Sequence, residues 1–377
     1  MSKAKVIAFY LPQYRPVEEN NKWFGKGFTE WTSVAKAKPL FKNHYQPKVP
    51  ADLGFYDLRL SDVKEQQVEL AKEAGVSAFC YYHYWFGNKK TILEEALQEV
   101  VASGKPDFPF CLCWANESWY RKCWHSDTKY LSKEIIFEQE YPGEQDYDEH
   151  FYFLLDAFKD PRYYKVNGKL VFVIYNLDDF QKGDVHAFMK RWQDLAKENG
   201  LPGFFFISYS TDEKDVVSDK HEGFDARILS LFKSPSIGKS KSFIYSKYHS
   251  FLSFVSSVLG RSFNAMDYGR VYHMFSSKLF SVDNIYPVLV PNWDNTPRRG
   301  AGGMVFYNST PENFRKHIDE VFRLIKEKPS ETNLVFLKSW NEWGEGNYME
   351  PDLLYGHGYI DELRNALEEF NKNQNNV

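Results

Sequence analysis

Short apolar runs alternate along the chain with longer stretches whose apolar residues follow a helical period. Eight of these runs are short, β-prone and apolar on both faces, as expected of strands buried in a parallel sheet. We predict strands over residues 5–10, 76–82, 109–114, 170–175, 204–209, 224–228, 285–290 and 334–340. We predict helices over residues 61–74, 91–103, 144–158, 185–199, 311–328 and 357–371. Strands that alternate with helices in this number predict an α/β fold, a (β/α)8 TIM barrel.

The barrel pattern extends over the whole chain, so we predict a single domain, residues 1–377, with long loops after the strands. Residues 229–283 are too long for a plain connecting helix and predict an insertion between strands six and seven. Between positions 233 and 270 the insertion carries six lysines and arginines and one acid, Asp267, with an apolar stripe over 251–259. Such a segment could contact a membrane, a lipid-linked glycan or a nucleotide diphosphate, or could cover the barrel with a solvated basic face. The polar tail 371–377 is predicted to fray.

The composition is that of an ordinary globular protein, with 43% hydrophobic and 26% charged residues. A net charge of −4 does not indicate binding to nucleic acid. The aromatic content of 18% is unusual, and aromatic rings stack on the C–H faces of sugars, which fits carbohydrate binding. We expect a cytoplasmic protein, or one peripheral to a membrane through the insertion, because no signal-peptide core or apolar span is recognisable. The four cysteines form no convincing zinc pattern, and we expect no metal and no cofactor.

Polar and aromatic residues follow six of the eight predicted strands, at the end of the barrel where active sites lie. The candidate substrate-binding residues are Tyr10, Glu30, Trp31, His83, Tyr84, Trp85, Trp114, Asn116, Glu117, Tyr175, Trp293, Asp294, Asn341 and Trp343. Trp85, Trp114 and Trp293 are predicted to be platforms for sugar rings. Single residues have plainer interpretations: His83 could satisfy a buried polar network, and Arg298 could pair with a structural carboxylate.

The stretch 338–346, directly after the apolar run 334–337, contains the candidate catalytic residues Glu342 and Glu345. Residues three apart on a strand face opposite ways, so a bend is needed, and Gly344 and Gly346 make one sterically easy. In a helix-like bend the two Cβ atoms would lie about 5–6 Å apart, close to the roughly 5–5.5 Å carboxyl separation of retaining glycosidases. Glutamates with this spacing also occur on solvated helix faces, but Glu342 and Glu345 lie close to Trp340 and Trp343 after a buried strand.

Seven motifs together resemble the glycoside hydrolase family 99-like proteins, and within them the WbsX-type branch of bacterial O-antigen and capsule gene clusters. They lie at residues 8–14, 27–31, 51–57, 81–86, 113–117, 293–296 and 340–346. The resemblance implies a (β/α)8 barrel and retaining endo-cleavage of α-mannosidic bonds without a metal. It further implies that Glu342 deprotonates the sugar 2-hydroxyl to give a 1,2-anhydro sugar, and that Glu345 protonates the leaving oxygen.

We therefore expect a retaining glycoside hydrolase whose partner is an oligosaccharide or polysaccharide of the bacterial surface, or a biosynthetic intermediate of one. The alternative is a glycosyltransferase of O-antigen or capsule biosynthesis, an activity with which this branch has often been labelled. No glycine-rich nucleotide loop supports that alternative, and the paired carboxylates suit hydrolysis better. A barrel that binds glycan without cleaving it is a third interpretation, which the intact Glu342 and Glu345 oppose.

Overall fold

Eight parallel strands close into a barrel in the computed structural model, which describes residues 3–120, 134–182, 184–233, 264–375 and positions 255, 259 and 262. The strands are β1 (Lys5–Tyr10), β2 (Val76–His83), β3 (Phe110–Trp114), β4 (Lys169–Ile174), β5 (Phe204–Ser210), β6 (Ala226–Leu229), β7 (Ile285–Leu289) and β8 (Leu334–Leu337). Each strand pairs in parallel with the next along the chain, and β8 pairs with β1. The predicted (β/α)8 barrel is confirmed.

The helices of the described residues lie between the strands and in the loops that follow them. They are α1 (Glu18–Phe24), α2 (Glu30–Lys36), α3 (Ser61–Glu73), α4 (Glu95–Ser103), α5 (Glu144–Lys159), α6 (Val185–Glu198), α7 (Glu213–Val216), α8 (Tyr268–Val271), α9 (Thr296–Arg299), α10 (Pro311–Ile325) and α11 (Gly358–Asn375). Helix α4 begins later than predicted because a β-bridge between Trp85 and Thr91 occupies the preceding turn. Helix α11 runs to Asn375, into the tail predicted to fray.

Aromatic side chains fill both the barrel interior and the layer between strands and helices. Inside, the ring of Phe9 stacks on Tyr82 with centroids 5.4 Å apart and contacts Phe336 at the same distance. Outside, Trp192 of α6 packs on Phe172 of β4 with centroids 4.8 Å apart. Because strand residues alternate between these two layers, the strands are apolar on both faces, as the sequence pattern predicts.

The end of the predicted insertion returns to the barrel. Residues Ala265–Asp267 form a short strand that pairs in parallel with Val305–Tyr307, and α8 follows directly. The predicted apolar stripe 251–259 lies outside the described residues except for positions 255 and 259, and so do Lys239, Lys241, Lys247 and Arg261. Among the described helices, none combines the length and the apolar character that crossing a membrane requires.

Candidate active site

The chain leaves the barrel after β8 through a short hairpin that contains both candidate glutamates. Residues Asn341–Glu342 pair with Asn347–Tyr348 in antiparallel fashion, and a 3-10 turn over Trp343–Glu345 connects them. Gly346 ends this turn at φ +53°, in the left-handed region that favours glycine. The predicted strand 334–340 therefore ends at Leu337, and a hairpin takes the place of the predicted helix-like bend.

The two glutamates contact the same atom of one buried arginine. Arg298 Nη1 lies 3.2 Å from Glu342 Oε1 and 3.3 Å from Glu345 Oε1. Their two Oε1 atoms are therefore separated by no more than the sum of these distances, so both carboxylates lie at the same place at the end of the barrel. Ser339 Oγ also donates to Glu342 Oε2 at 3.1 Å.

A third carboxylate, that of Glu30, completes the cluster around Arg298. Arg298 Nε donates to Glu30 Oε1 at 2.9 Å, and Nη2 lies 2.7 Å from the same oxygen. Glu30 is the first residue of α2, after β1, and Arg298 belongs to α9, after β7. Elements distant in sequence thus bring one guanidinium among three carboxylates at the carboxyl end of the barrel, and we call this group the Arg298 cluster.

Burial decides the protonation of Glu30. Its side chain is fully enclosed, and the loss of water raises its pKa from 4.5 to about 7. The charge of Arg298 opposes this rise, while the charges of Glu342 and Glu345 add to it. The pKa of Arg298 lies above its usual range, because the three carboxylates outweigh the effect of its burial. The cluster therefore contains a permanent cation and one carboxyl group that exchanges its proton near neutral pH.

We expect the Glu30→Gln variant to lose a pH dependence of stability that the wild type has. Folded Glu30 keeps its proton up to about pH 7, whereas unfolded Glu30 releases it near 4.5. Its contribution to stability is therefore full below pH 4.5 and is lost as the pH rises to about 7. At roughly 1.4 kcal/mol per pKa unit, the loss is about 3 kcal/mol. Urea unfolding at several pH values from 5 to 8 measures it, and parallel curves for the two proteins would contradict it.

Gly344 is required because the Glu30 carboxyl lies directly against its Cα. A Cβ added at this position would lie 1.8 Å from Glu30 Oε1 and 3.0 Å from Arg298 Nε. We expect Gly344→Ala to displace Glu30, to destabilise the fold by about 1–3 kcal/mol and to reduce activity. A double-mutant cycle with Glu30→Ala tests the cause, because removing the Glu30 carboxyl should remove most of the cost. An unchanged cost in that background would mean that strain elsewhere is responsible.

Buried hydrogen bonds attach the hairpin to the end of β1. The Asn341 amide accepts from Leu11 N at 2.7 Å and donates to Leu11 O at 3.0 Å. Trp343 Nε1 donates to Glu350 Oε2 at 2.6 Å, and the Trp343 ring lies 5.4 Å from that of Trp31. The candidates Asn341, Trp343 and Trp31 are therefore part of the frame that supports the glutamates. Burial raises the pKa of Glu350 from 4.5 to about 7.

Lys338 brings a second buried cation to the barrel mouth. Its Nζ donates to Tyr82 Oη at 2.6 Å and lies 5.3 Å from the ring centroid of Tyr175. Burial lowers the pKa of Lys338, but the negative groups around it, including Glu342, outweigh burial and raise it above 10.5. Burial and then the charge of Glu342 raise the pKa of Tyr84. Tyr84 and Tyr175 are thus the predicted tyrosines that the fold places closest to the glutamates.

The three tryptophans predicted as sugar platforms are enclosed in the structure. Trp85, Trp114 and Trp293 are at most 1% exposed. Trp85 stacks on His150 with centroids 4.8 Å apart, and Trp114 meets the same ring edge-on. Trp293 packs against Phe232. Trp85 and Trp114 lie in the layer between strands and helices, because positions near a strand end still alternate between the two faces.

His83 and Tyr10, two of the candidate substrate-binding residues, point away from the barrel mouth. His83 Nε2 lies 2.8 Å from His150 Nε2, and burial lowers the pKa of His83 to about 3, so the ring is neutral. Tyr10 Oη donates to Gln67 of α3 at 2.7 Å. These side chains satisfy buried polar groups, the plainer interpretation that His83 had at the outset.

Three more candidates hold loops together. The buried Asn116 amide accepts from Asn176 N at 2.8 Å, which joins the loops after β3 and β4. Glu117 is exposed and accepts from Asn176 Nδ2 at 3.2 Å. Asp294 Oδ2 accepts from Gln46 Nε2 at 2.6 Å and contacts His44. Burial raises the pKa of Asp294, but the His44 contact and other partners lower it below 3.8.

Two important residues were not among the sequence candidates. Arg298 entered only as a partner of a structural carboxylate, although it joins all three acids of the cluster. Lys338 had one usable signal, a charged residue directly after an apolar strand. No sequence signal connects Arg298 to Glu30, because they lie 268 positions apart and only barrel closure makes them neighbours.

Comparison with known proteins places this barrel in a family. The model of the family described as "Glycosyltransferase WbsX" matches residues 6–363. The uncharacterised protein WxcX of Xanthomonas campestris pv. campestris is 32% identical over 375 residues, which cover 97% of this chain and 50% of WxcX. The chain therefore spans about half the length of the curated relatives it matches.

Solved structures share the fold at low sequence identity. The GH99 endo-alpha-mannosidase from Bacteroides thetaiotaomicron has a TM-score of 0.55 and 15% identity, with 100% of both chains covered. A glycoside hydrolase-like protein has a TM-score of 0.59 and 17% identity, with 98% of this chain and 94% of that one covered. The architecture is thus a (β/α)8 barrel of the kind found in glycoside hydrolases. The chain belongs to the WbsX family.

Proposed function

We propose that this protein is a retaining glycoside hydrolase, similar to an endo-α-mannosidase, that acts on a bacterial surface polysaccharide or its biosynthetic intermediate. The observation that carries the proposal is the pairing of Glu342 and Glu345 at one nitrogen of Arg298, at the end of the barrel where such enzymes react. The low-identity fold match to a GH99 endo-alpha-mannosidase is consistent with it.

The surroundings of the two glutamates support a division of roles. Glu342 accepts hydrogen bonds from Arg298 at 3.2 Å and from Ser339 at 3.1 Å, so that both of its carboxylate oxygens are held in place. We assign Glu342 the role of the base, which must be positioned against the sugar 2-hydroxyl. The Glu345 side chain is 17% exposed, compared with 9% for Glu342, so it is the better placed to reach a leaving group and exchange protons with water.

The proposed reaction proceeds in two displacements. Glu342 takes the proton of the sugar 2-hydroxyl, and O2 attacks the anomeric carbon as the glycosidic bond breaks. Glu345 protonates the leaving oxygen, which gives a 1,2-anhydro sugar. Water then adds to the anomeric carbon, giving one proton to Glu345, while Glu342 returns a proton to O2. Two inversions restore the original anomeric configuration.

The direct test is incubation with α-linked mannose oligosaccharides and surface polysaccharide, with the products followed by proton NMR. The proposal predicts shorter oligosaccharides, first released with the anomeric configuration of the bond that was cleaved. Release of the opposite anomer would contradict the retaining mechanism, and no cleavage of any glycan by wild type would contradict the hydrolase.

A second candidate function is glycosyl transfer, which the description of the WbsX family favours. Many transferases hold a nucleotide sugar through a metal bound at an Asp-x-Asp sequence, and this chain has one such run, Asp146-Tyr147-Asp148. It lies within helix α5, where Asp146 accepts from Trp85 Nε1 at 3.1 Å and Asp148 accepts from Arg191 Nη2 at 2.6 Å. Both aspartates therefore already have partners, Asp146 in the layer between strands and helices and Asp148 on the neighbouring helix α6.

The test of the second candidate is incubation with a panel of nucleotide sugars and a lipid-linked glycan acceptor. Sugar transfer with release of nucleotide, without hydrolysis of the acceptor, would favour the transferase over the hydrolase.

A further inference from the structure

A cavity of about 590 Å³ opens at the rim of the barrel, beside the Arg298 cluster, and we call it the rim cavity. It is lined by residues of three loops, within 41–48 after β1, 292–309 after β7 and 348–359 after β8, and by Ala265. Neither Glu342 nor Glu345 lines it. Its volume falls within the roughly 300–1,000 Å³ of small-molecule sites.

Partly exposed aromatic rings form its walls. Tyr307 lines the cavity, and its side chain is 42% exposed. Phe41 meets Tyr307 edge-on with centroids 6.3 Å apart, and Tyr355 is also partly exposed. Such rings present apolar faces on which the C–H face of a pyranose can stack.

A buried ammonium group adds hydrogen-bond donors to these walls. Lys48 lines the cavity and is 7% exposed. Within the described part of the chain its Nζ makes one hydrogen bond, to Gly346 O at 3.3 Å, and lies 5.2 Å from the ring centroid of Tyr348. An ammonium has three N–H donors, so Lys48 retains donors for the oxygen atoms of an occupant.

The charges around Lys48 favour a neutral occupant over an anion. Burial lowers the pKa of Lys48, and the nearby carboxylates of Asp294 and Asp352 oppose part of that change. Both acids are themselves at most 2% exposed and already accept hydrogen bonds, Asp294 from Gln46 and Asp352 from Tyr348. The lining also contains Lys42, which is exposed to water, so the buried charge beside the cavity is balanced. The rim cavity therefore combines hydrogen-bond donors and aromatic faces.

We propose that the rim cavity binds a neutral sugar unit of the glycan chain, separate from the unit at Glu342 and Glu345. This proposal rests on the function proposed above, because that function explains why the rim cavity and the two glutamates lie side by side. They share backbone contacts: Lys48 bonds Gly346 O, and Asp294 N donates to Glu345 O at 2.7 Å. A chain that occupies both would be held in register with the glutamates.

The test uses Glu345→Gln as the parent protein, so that probes bind without being cleaved. Calorimetry measures the Kd of α-linked mannotetraose, maltotetraose and mannobiose, before and after Tyr307→Ala is added. We expect at least one tetrasaccharide to bind, and Tyr307→Ala to weaken it about tenfold and the disaccharide less. Tyr152→Ala is the matched control, because Tyr152 is 51% exposed on helix α5, away from the cavity.

An equal Kd for parent and Tyr307→Ala would overturn the proposal, as would failure of the parent to bind either tetrasaccharide. Because this experiment needs no cleavage, it is independent of the hydrolase proposal. Binding that depends on Tyr307 in a protein whose wild type hydrolyses no glycan would support the cavity and overturn only the hydrolase.

Discussion

Glu345→Gln should lower kcat/KM on a natural glycan by about 10²–10⁴-fold, the usual contribution of general acid–base catalysis. The amide of the variant cannot protonate the leaving oxygen, yet it has nearly the same shape as the carboxyl group it replaces. The thermal unfolding temperature should therefore change little, which would show that activity is lost because the proton donor is missing and not because the protein unfolds. Steady-state kinetics and thermal unfolding on the same preparation measure both.

An activated aryl glycoside separates the roles of the two glutamates, because its leaving group needs little protonation. Glu345→Gln should recover much of its activity on that substrate, and Glu342→Gln should not, since the attack of O2 still needs a base. Glu327→Gln is the control, with a side chain that is 88% exposed. Equal turnover of the natural glycan by wild type and Glu345→Gln would remove Glu345 from the mechanism.

Arg298→Leu should destabilise the protein by about 3–5 kcal/mol, the cost of removing one partner from a buried ion pair. Glu30, Glu342 and Glu345 would then face one another without the cation that now contacts all three. The loss should be greater at pH 8 than at pH 5, because Glu30, whose pKa is about 7, is protonated at the lower pH. Urea unfolding at the two pH values measures the difference.

Arg299→Leu provides a matched control for this prediction, because the neighbouring Arg299 is exposed and should be replaceable at little cost. Arg298→Lys keeps the charge without the planar fork and should lie between wild type and Arg298→Leu. A loss below about 1 kcal/mol for Arg298→Leu, the scale of an exposed pair, would mean that the three carboxylates do not depend on the arginine.

The sequence predicted the arrangement of strands well and the roles of individual side chains poorly. Short runs such as Leu334–Leu337 are apolar on both faces only when both faces are buried, which restricts them to a few architectures. The orientation of one residue near a strand end depends on local alternation and register. Trp85 and Trp114 illustrate this, since Trp85 follows β2, Trp114 ends β3, and both pack into the enclosed layer outside the barrel.

The amino-acid pattern alone determined the (β/α)8 barrel and the location of the paired glutamates after its last strand, because periodicity and glycine placement are local properties. Only the tertiary structure decided which groups surround that pair. Glu30 follows the first strand, Arg298 the seventh and Glu342 the eighth, and barrel closure brings them within hydrogen-bonding distance. The raised pKa of Glu30 and the closeness of Gly344 to its carboxyl likewise arise from burial and packing. Those are properties of the assembled fold that no short stretch of sequence carries.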